Sequence, residues 1–172
     1  MIFYDLLRPV VIALCACAVC CAQTTNIVDE KACIAAWFGE NIQTQSLKLA
    51  RYEQPVIEVK SNAVTVGWVF RTDQVPPVSK GKMGPIVLLA GFDTQERIRG
   101  IHVVRHEETP KYFKRVTASF FAQFLNAPIT RDPASFDVVT KATFSSKAII
   151  REVVMGAANL AKEPEIKEQL RK

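Results

Sequence analysis

Ile86-Val87-Leu88-Leu89-Ala90-Gly91-Phe92-Asp93-Thr94-Gln95-Glu96-Arg97-Ile98-Arg99-Gly100-Ile101-His102-Val103-Val104-Arg105 reads as strand, turn and returning strand. Ile86–Ala90 is apolar without a break, which suits a strand buried on both faces, because a half-exposed strand alternates. Asp93–Glu96 supplies turn residues, and Ile98–Arg105 pairs back. Upstream, Val56–Val59 and Ala63–Phe70 are rich in β-branched and aromatic residues and read as two more strands. A link from Pro76-Pro77 to Gly84-Pro85 joins them to the central pair.

Downstream the period changes. Phe113, Val116, Phe120, Phe121 and Phe124 recur at helical spacing, which predicts a helix over Tyr112–Leu125 with an aromatic stripe facing the core. Asn126–Phe136 carries two prolines and reads as a loop. A second helix is expected from Ser145 or Ser146, with Ile149, Ile150, Val153, Val154 and Ala157 on one face. The charged residues from Lys162 to Lys172 read as a solvated tail. Before the strands, Asp29 is placed to cap a short helix ending at Phe38 and stopped by Gly39, and residues 40–55 are polar and fit no single pattern. The expected fold class is α+β, a small antiparallel-rich sheet with packed helices, in one domain over residues 23–172.

The first 22 residues differ in kind. Val10 to Ala22 is a run of 13 uncharged, apolar residues behind Asp5, Arg8 and Pro9. A membrane-spanning helix needs about 20 such residues, whereas a signal sequence needs about 7–15. Residues 1–22 therefore read as a signal peptide or membrane anchor. Cys20-Cys21-Ala22 offers small residues for cleavage, and Leu14-Cys15-Ala16-Cys17 offers Cys17 as a lipidation candidate, so cleaved, lipidated and retained forms are all compatible. Four of the five cysteines lie in this segment and only Cys33 lies beyond it, which excludes a disulfide framework in a processed chain. The expected location is the periplasmic or extracytoplasmic face of the inner membrane.

The chain carries a net charge of +5, with no basic run and no aromatic-basic ladder, so nucleic acid is excluded as a partner. His102 and His106 are the only histidines, and no cysteine or acidic cluster accompanies them at metal-like spacing. No nucleophile elbow, phosphate-binding loop or dinucleotide fingerprint occurs, and no catalytic acid or base stands out. The segment with most chemistry is Asp137-Val138-Val139-Thr140-Lys141-Ala142-Thr143-Phe144-Ser145-Ser146, four hydroxyls and a carboxylate at a helix start. A helix N-terminus presents unpaired N–H groups and suits phosphate, with Lys141 adding charge and small Ala142 allowing close approach. Ser145 or Ser146 acting only as a cap accounts for the same residues.

Four segments follow one another in the order Gly84–Asp93, Ile98-Arg99-Gly100-Ile101, His106-Glu107-Glu108-Thr109-Pro110 and Asp137–Ser146. In that order and spacing, over roughly residues 64–160, the chain resembles the FMN-binding domain family, which includes the G subunit of Rnf complexes and the C subunit of the sodium-translocating NADH:quinone reductase. The resemblance implies FMN as cofactor, esterified through its phosphate to Thr143 by a flavin transferase. It places Glu108, Thr109 and Pro110 near the flavin, with Asp137, Thr140, Lys141, Ala142, Ser145 and Ser146 around the phosphate. It also implies an exported electron-transfer flavoprotein, a subunit of an Rnf-like ion-translocating complex with membrane partners. A free-standing flavin-binding lipoprotein carrier and a non-redox domain that has lost flavin are the alternatives. Lys141 stands where the family has glycine, which matters where that position needs positive φ, and a lysine there is placed to pair with phosphate. Lys111-Tyr112 replaces the glycine that usually follows the proline.

Overall fold

The computed structural model describes residues 30–116 and 118–171. The expected signal or anchor segment 1–22, the lipidation candidate Cys17 and the capping residue Asp29 lie outside them. Among the described residues, no helix is long and apolar enough to cross a membrane.

Five strands form one antiparallel sheet in the order of the chain: β1 (Gln43–Leu47), β2 (Val56–Ser61), β3 (Val64–Arg71), β4 (Ile86–Asp93) and β5 (Ile98–His106). β4 is buried from Ile86 to Phe92, as its unbroken apolar run requires. Its alternate residues face two cores. Leu88, Ala90 and Phe92 join Trp68 and Phe70 of β3 in the larger one. Leu89 joins Val69 and Val59 in the smaller one. This period of two is the pleat expressed as packing.

Helix α1 (Glu30–Phe38) covers the smaller core with Ile34 and ends as Gly39 takes φ +102°. Glycines open the sheet surface beneath it. A Cβ on Gly100 would collide with the Trp37 indole, and one on Gly91 would come within 3.1 Å of the same ring. The larger core is roofed by α4 (Thr143–Leu160), which buries Ile149, Val153, Ala157 and Leu160 against the sheet. Gly156 lets it settle close, since a Cβ there would lie 2.9 Å from the Phe70 ring.

Four expectations need correction. The helix expected over Tyr112–Leu125 is two short pieces, α2 (Pro110–Phe113) and α3 (Ala118–Ala122). Tight turns such as Val116 N–H to Phe113 C=O, 2.8 Å, separate them, and the aromatic stripe still packs inward, with Phe113, Val116, Phe120 and Phe124 all buried. The expected solvated tail folds into α5 (Pro164–Leu170), begun by a proline at its first position and anchored by Ile166, which is fully buried. The polar stretch 40–55 contains β1, an edge strand whose side chains are nearly all exposed, so no hydrophobic pattern announces it. Finally, α4 begins at Thr143, ahead of both serines.

Candidate functional site

The start of α4 is built without a side-chain cap. Ala142 is the flanking residue at φ −129°, ψ 29°, and the first helical hydrogen bond runs from Ser146 N–H to Ala142 C=O, 2.9 Å. The backbone N–H groups of Thr143, Phe144 and Ser145 meet no acceptor among the described residues, so the positive end of the helix is unsatisfied. The turn that leads in is held from inside the helix. Ser146 Oγ donates to Ala142 C=O at 2.8 Å and accepts from Val139 N–H at 3.1 Å. Ser146 is thus a fully buried latch on residues 139–142. Between them Lys141 adopts φ +67°, the left-handed region that glycine enters without cost. The position at which the resemblance implies glycine thus does adopt positive φ in this chain.

Ser145 turns the other way. Its hydroxyl donates to Glu108 Oε2 at 2.6 Å, within the buried interior. Glu108 Oε1 accepts from Met83 N–H at 2.7 Å, which draws the 80–85 loop against the same carboxylate. One buried side chain, 5% exposed, thereby fastens the β5–α2 junction, the loop and the start of α4 together. Burial alone would raise the Glu108 pKa. Hydrogen bonds from Ser145 and from the N–H groups of Met83, Gly84 and Lys82 outweigh that and hold it below the ordinary 4.5. Gly81 is needed at this crossing, because a Cβ there would strike the Glu108 carboxylate. Just upstream, His106 stacks on Phe113 with ring centroids 3.7 Å apart, and its buried Nδ1 meets no well-aligned hydrogen-bond partner among the described residues. Burial lowers the His106 pKa, so it sits behind the site as a neutral packing group.

These elements enclose a cleft of about 230 Å³, lined by Lys82, Met83, Glu108, Thr109, Tyr112 and residues 141–145. Of the residues singled out from sequence, the structure brings Glu108, Thr109, Lys141, Ala142, Thr143 and Ser145 together here. Pro110, Asp137, Thr140 and Ser146 lie outside the lining. Pro110 starts α2, Asp137 is tied through its backbone to Gln123, Thr140 is exposed, and Ser146 is the latch described above. Sequence reasoning missed Lys82, Met83, Tyr112 and Phe144. Only Phe144, beside Thr143 in the chain, carried a signal that could have found it.

The chemistry of the lining is specific. Lys82 and Lys141 are exposed and form no ion pair among the described residues, while Glu108, the one acid in the lining, is already fully bonded. The cleft is therefore cationic, with open backbone N–H donors at its floor and apolar walls beside them. That combination suits a planar aromatic molecule carrying a phosphate. Its volume lies below the roughly 300–1,000 Å³ of sites that swallow their ligands, so a ligand here is held at the surface. Thr143 is half-buried and its hydroxyl has no hydrogen-bond partner among the described residues.

Residues 81–155 match the family model described as the FMN-binding domain, a span that contains every residue lining this cleft. The G subunit of the ion-translocating oxidoreductase complex of Pasteurella multocida (strain Pm70) is 29% identical over 141 residues, covering 73% of this chain and 67% of the relative. The cationic cleft and the match agree: residues 81–155 resemble an FMN-binding domain, FMN is the cofactor they point to, and the chain is similar to the G subunit of an ion-translocating oxidoreductase complex.

Proposed function

We propose that this chain is an exported electron-transfer subunit of an Rnf-like ion-translocating complex, with FMN esterified to Thr143. The observation that carries the reading is the setting of Thr143. Its hydroxyl, without a hydrogen-bond partner among the described residues, stands in the first turn of an uncapped helix, at the edge of a cationic cleft. The open N–H groups of residues 143–145 would hold a phosphodiester formed there, with Lys141 and Lys82 as counter-charges. Ala142, 4% exposed, adds no bulk on the approach. Glu108, in the lining, and Ser146, behind it, fix the walls of the cleft, and Thr109 contributes to the rim.

Among the described residues, the only carboxylate lining the cleft, Glu108, is buried and bonded to Ser145 and Met83, so the lining offers no free carboxylate base for the modification. A flavin transferase partner, which the family resemblance implies, is part of the proposal. Ester formation from free FMN is uphill in water, so the donor is an activated flavin dinucleotide. The Thr143 Oγ1–phosphorus bond forms as the pyrophosphate P–O bond breaks; the nucleoside monophosphate leaves and the hydroxyl proton passes to the transferase or solvent. Asp137, Thr140 and Pro110, which the resemblance places near the cofactor, stand outside the cleft lining. Once bound, FMN supplies reversible uptake and release of electrons, and the protein supplies attachment, orientation and electrostatics.

Residues 1–22, as a signal or anchor, would set residues 23–172 on the periplasmic or extracytoplasmic face of the inner membrane beside the membrane subunits, with Cys17 as the candidate for lipidation. A tethered flavin suits that location, because a loose one would be lost by diffusion. The test is co-expression with a flavin transferase, followed by intact mass and in-gel flavin fluorescence. The expected result is an adduct of one FMN that disappears in Thr143→Ala. An unmodified wild-type chain under those conditions overturns the covalent assignment.

A further inference from the structure

Three large apolar side chains stand in solvent around this one cleft: Phe144 is 67% exposed, Met83 63% and Tyr112 40%. The stripe aromatics nearby behave differently, with Phe113, Phe120 and Phe124 buried in the core. The three exposed residues come from three separate segments, and the fastening at Glu108 is what assembles them. Met83 rides on the loop whose backbone N–H is held by Glu108, Tyr112 on α2, and Phe144 on the turn whose Ser145 is held by the same carboxylate.

We propose that Phe144, with Tyr112 and Met83, is the shelf on which the isoalloxazine ring of the FMN rests. This deepens the flavin reading above and rests on it. The ring is planar, with an apolar body and a polar edge, so an offset stack on an exposed phenyl face removes apolar surface of both from water. The Met83 thioether and the Tyr112 ring are suited to close the sides. Successive residues of a helix point about 100° apart, so Phe144 opens a face next to the phosphoryl anchor at Thr143. The first turn of α4 then holds both ends of the cofactor, by charge at one end and by stacking at the other. The shallow cleft leaves the far face of the ring open to a partner.

The experiment uses the flavin-loaded full chain and reads the flavin itself. An aromatic contact of this kind shifts the docked-to-free ratio of the ring by about two- to tenfold. Phe144→Ala is expected to raise iodide quenching of flavin fluorescence at least about twofold and to cut the visible circular dichroism of the flavin by a similar factor. Tyr112→Phe keeps the apolar wall but removes the electron-rich phenol, which quenches a flavin in contact with it; brighter fluorescence with unchanged iodide access is expected. Leu125→Ala, at an exposed apolar residue (58%) outside the lining, is the control and should behave as wild type. A wild-type chain that takes up no flavin overturns the flavin reading itself. A loaded chain in which Phe144→Ala and Tyr112→Phe both match wild type overturns the shelf and leaves that reading standing.

Discussion

Replacing Glu108 by glutamine tests whether one carboxylate assembles the cleft. The side chain is 5% exposed and accepts from Ser145 Oγ at 2.6 Å and from Met83 N–H at 2.7 Å. Hydrogen bonds to a charged group contribute about 1.5–3 kcal/mol each, against about 0.5–1.5 kcal/mol for neutral ones. Glutamine keeps an oxygen for Met83 but points an amide N–H₂ at Ser145, which must then reverse its hydroxyl and leave one amide hydrogen unpaired. Summed over the two bonds, Glu108→Gln is expected to cost about 2–3 kcal/mol at pH 7. The assay is urea denaturation of the purified chain, read as a lower midpoint at unchanged slope. Glu107→Gln is the control, since Glu107 is exposed and its nearest cation, Arg105, is 3.9 Å away; it should change stability by less than about 0.5 kcal/mol. The folded-state pKa of Glu108 is depressed, so its contribution is present above the ordinary 4.5 and is lost as pH falls through the lower folded value. The gap between wild type and variant should therefore close below about pH 4.5. A Glu108→Gln chain as stable as the control at pH 7, or strict additivity with Ser145→Ala, refutes the reasoning.

Two further outcomes concern groups away from that carboxylate. Burial is the main cause that raises the Glu152 carboxyl to about 7, against opposing hydrogen bonds from Ser79 N–H and the Thr72 side chain. A raised carboxyl favours the folded state when protonated, so wild-type stability should fall as pH rises from about 4.5 to 7, by about 3 kcal/mol in all. Glu152→Gln should flatten that profile in pH-dependent urea titrations, and parallel curves would refute the assignment. Lys141→Gly should stabilise the apoprotein by about 1 kcal/mol relative to Lys141→Ala, because only glycine relieves φ +67°; equal thermal midpoints for the two variants would count against strain there.

The sequence was legible where one physical signal dominates. The apolar run of β4 and the turn at Asp93–Glu96 foretold the central hairpin because burial on both faces leaves no room for polar residues. The aromatic stripe foretold the core position of Phe113, Phe120 and Phe124, but side-chain periodicity does not reveal a backbone that breaks between two short helices. β1 and α5 escaped because an edge strand needs no apolar face and α5 is anchored by little more than Ile166. At the site, Lys141 and Ala142 were visible from helix-start chemistry, and Thr143 only through the family resemblance. The two serines were misread as a helix start because composition shows hydroxyls without their direction: Ser146 bonds backward to Ala142 and Ser145 inward to Glu108. The loop wall of Lys82 and Met83 was invisible, since it reaches the cleft through a hydrogen bond between residues 25 positions apart.

The link from Thr72 to Pro85 is pinned to α4 at three points. Glu152 holds Ser79 N–H at 2.7 Å, Asn159 holds the Pro76 carbonyl at 2.9 Å, and Glu108 joins Met83 to Ser145. Two of the three fasteners are buried carboxylates, so peeling the link away strands charge or dipole in the interior. Around a flavin held as proposed, whose charge changes as electrons come and go, such a wall would relax little between states. The reorganisation energy that slows electron transfer would then fall mainly on the open, solvent-facing side of the ring, where a docked partner excludes the water that supplies it.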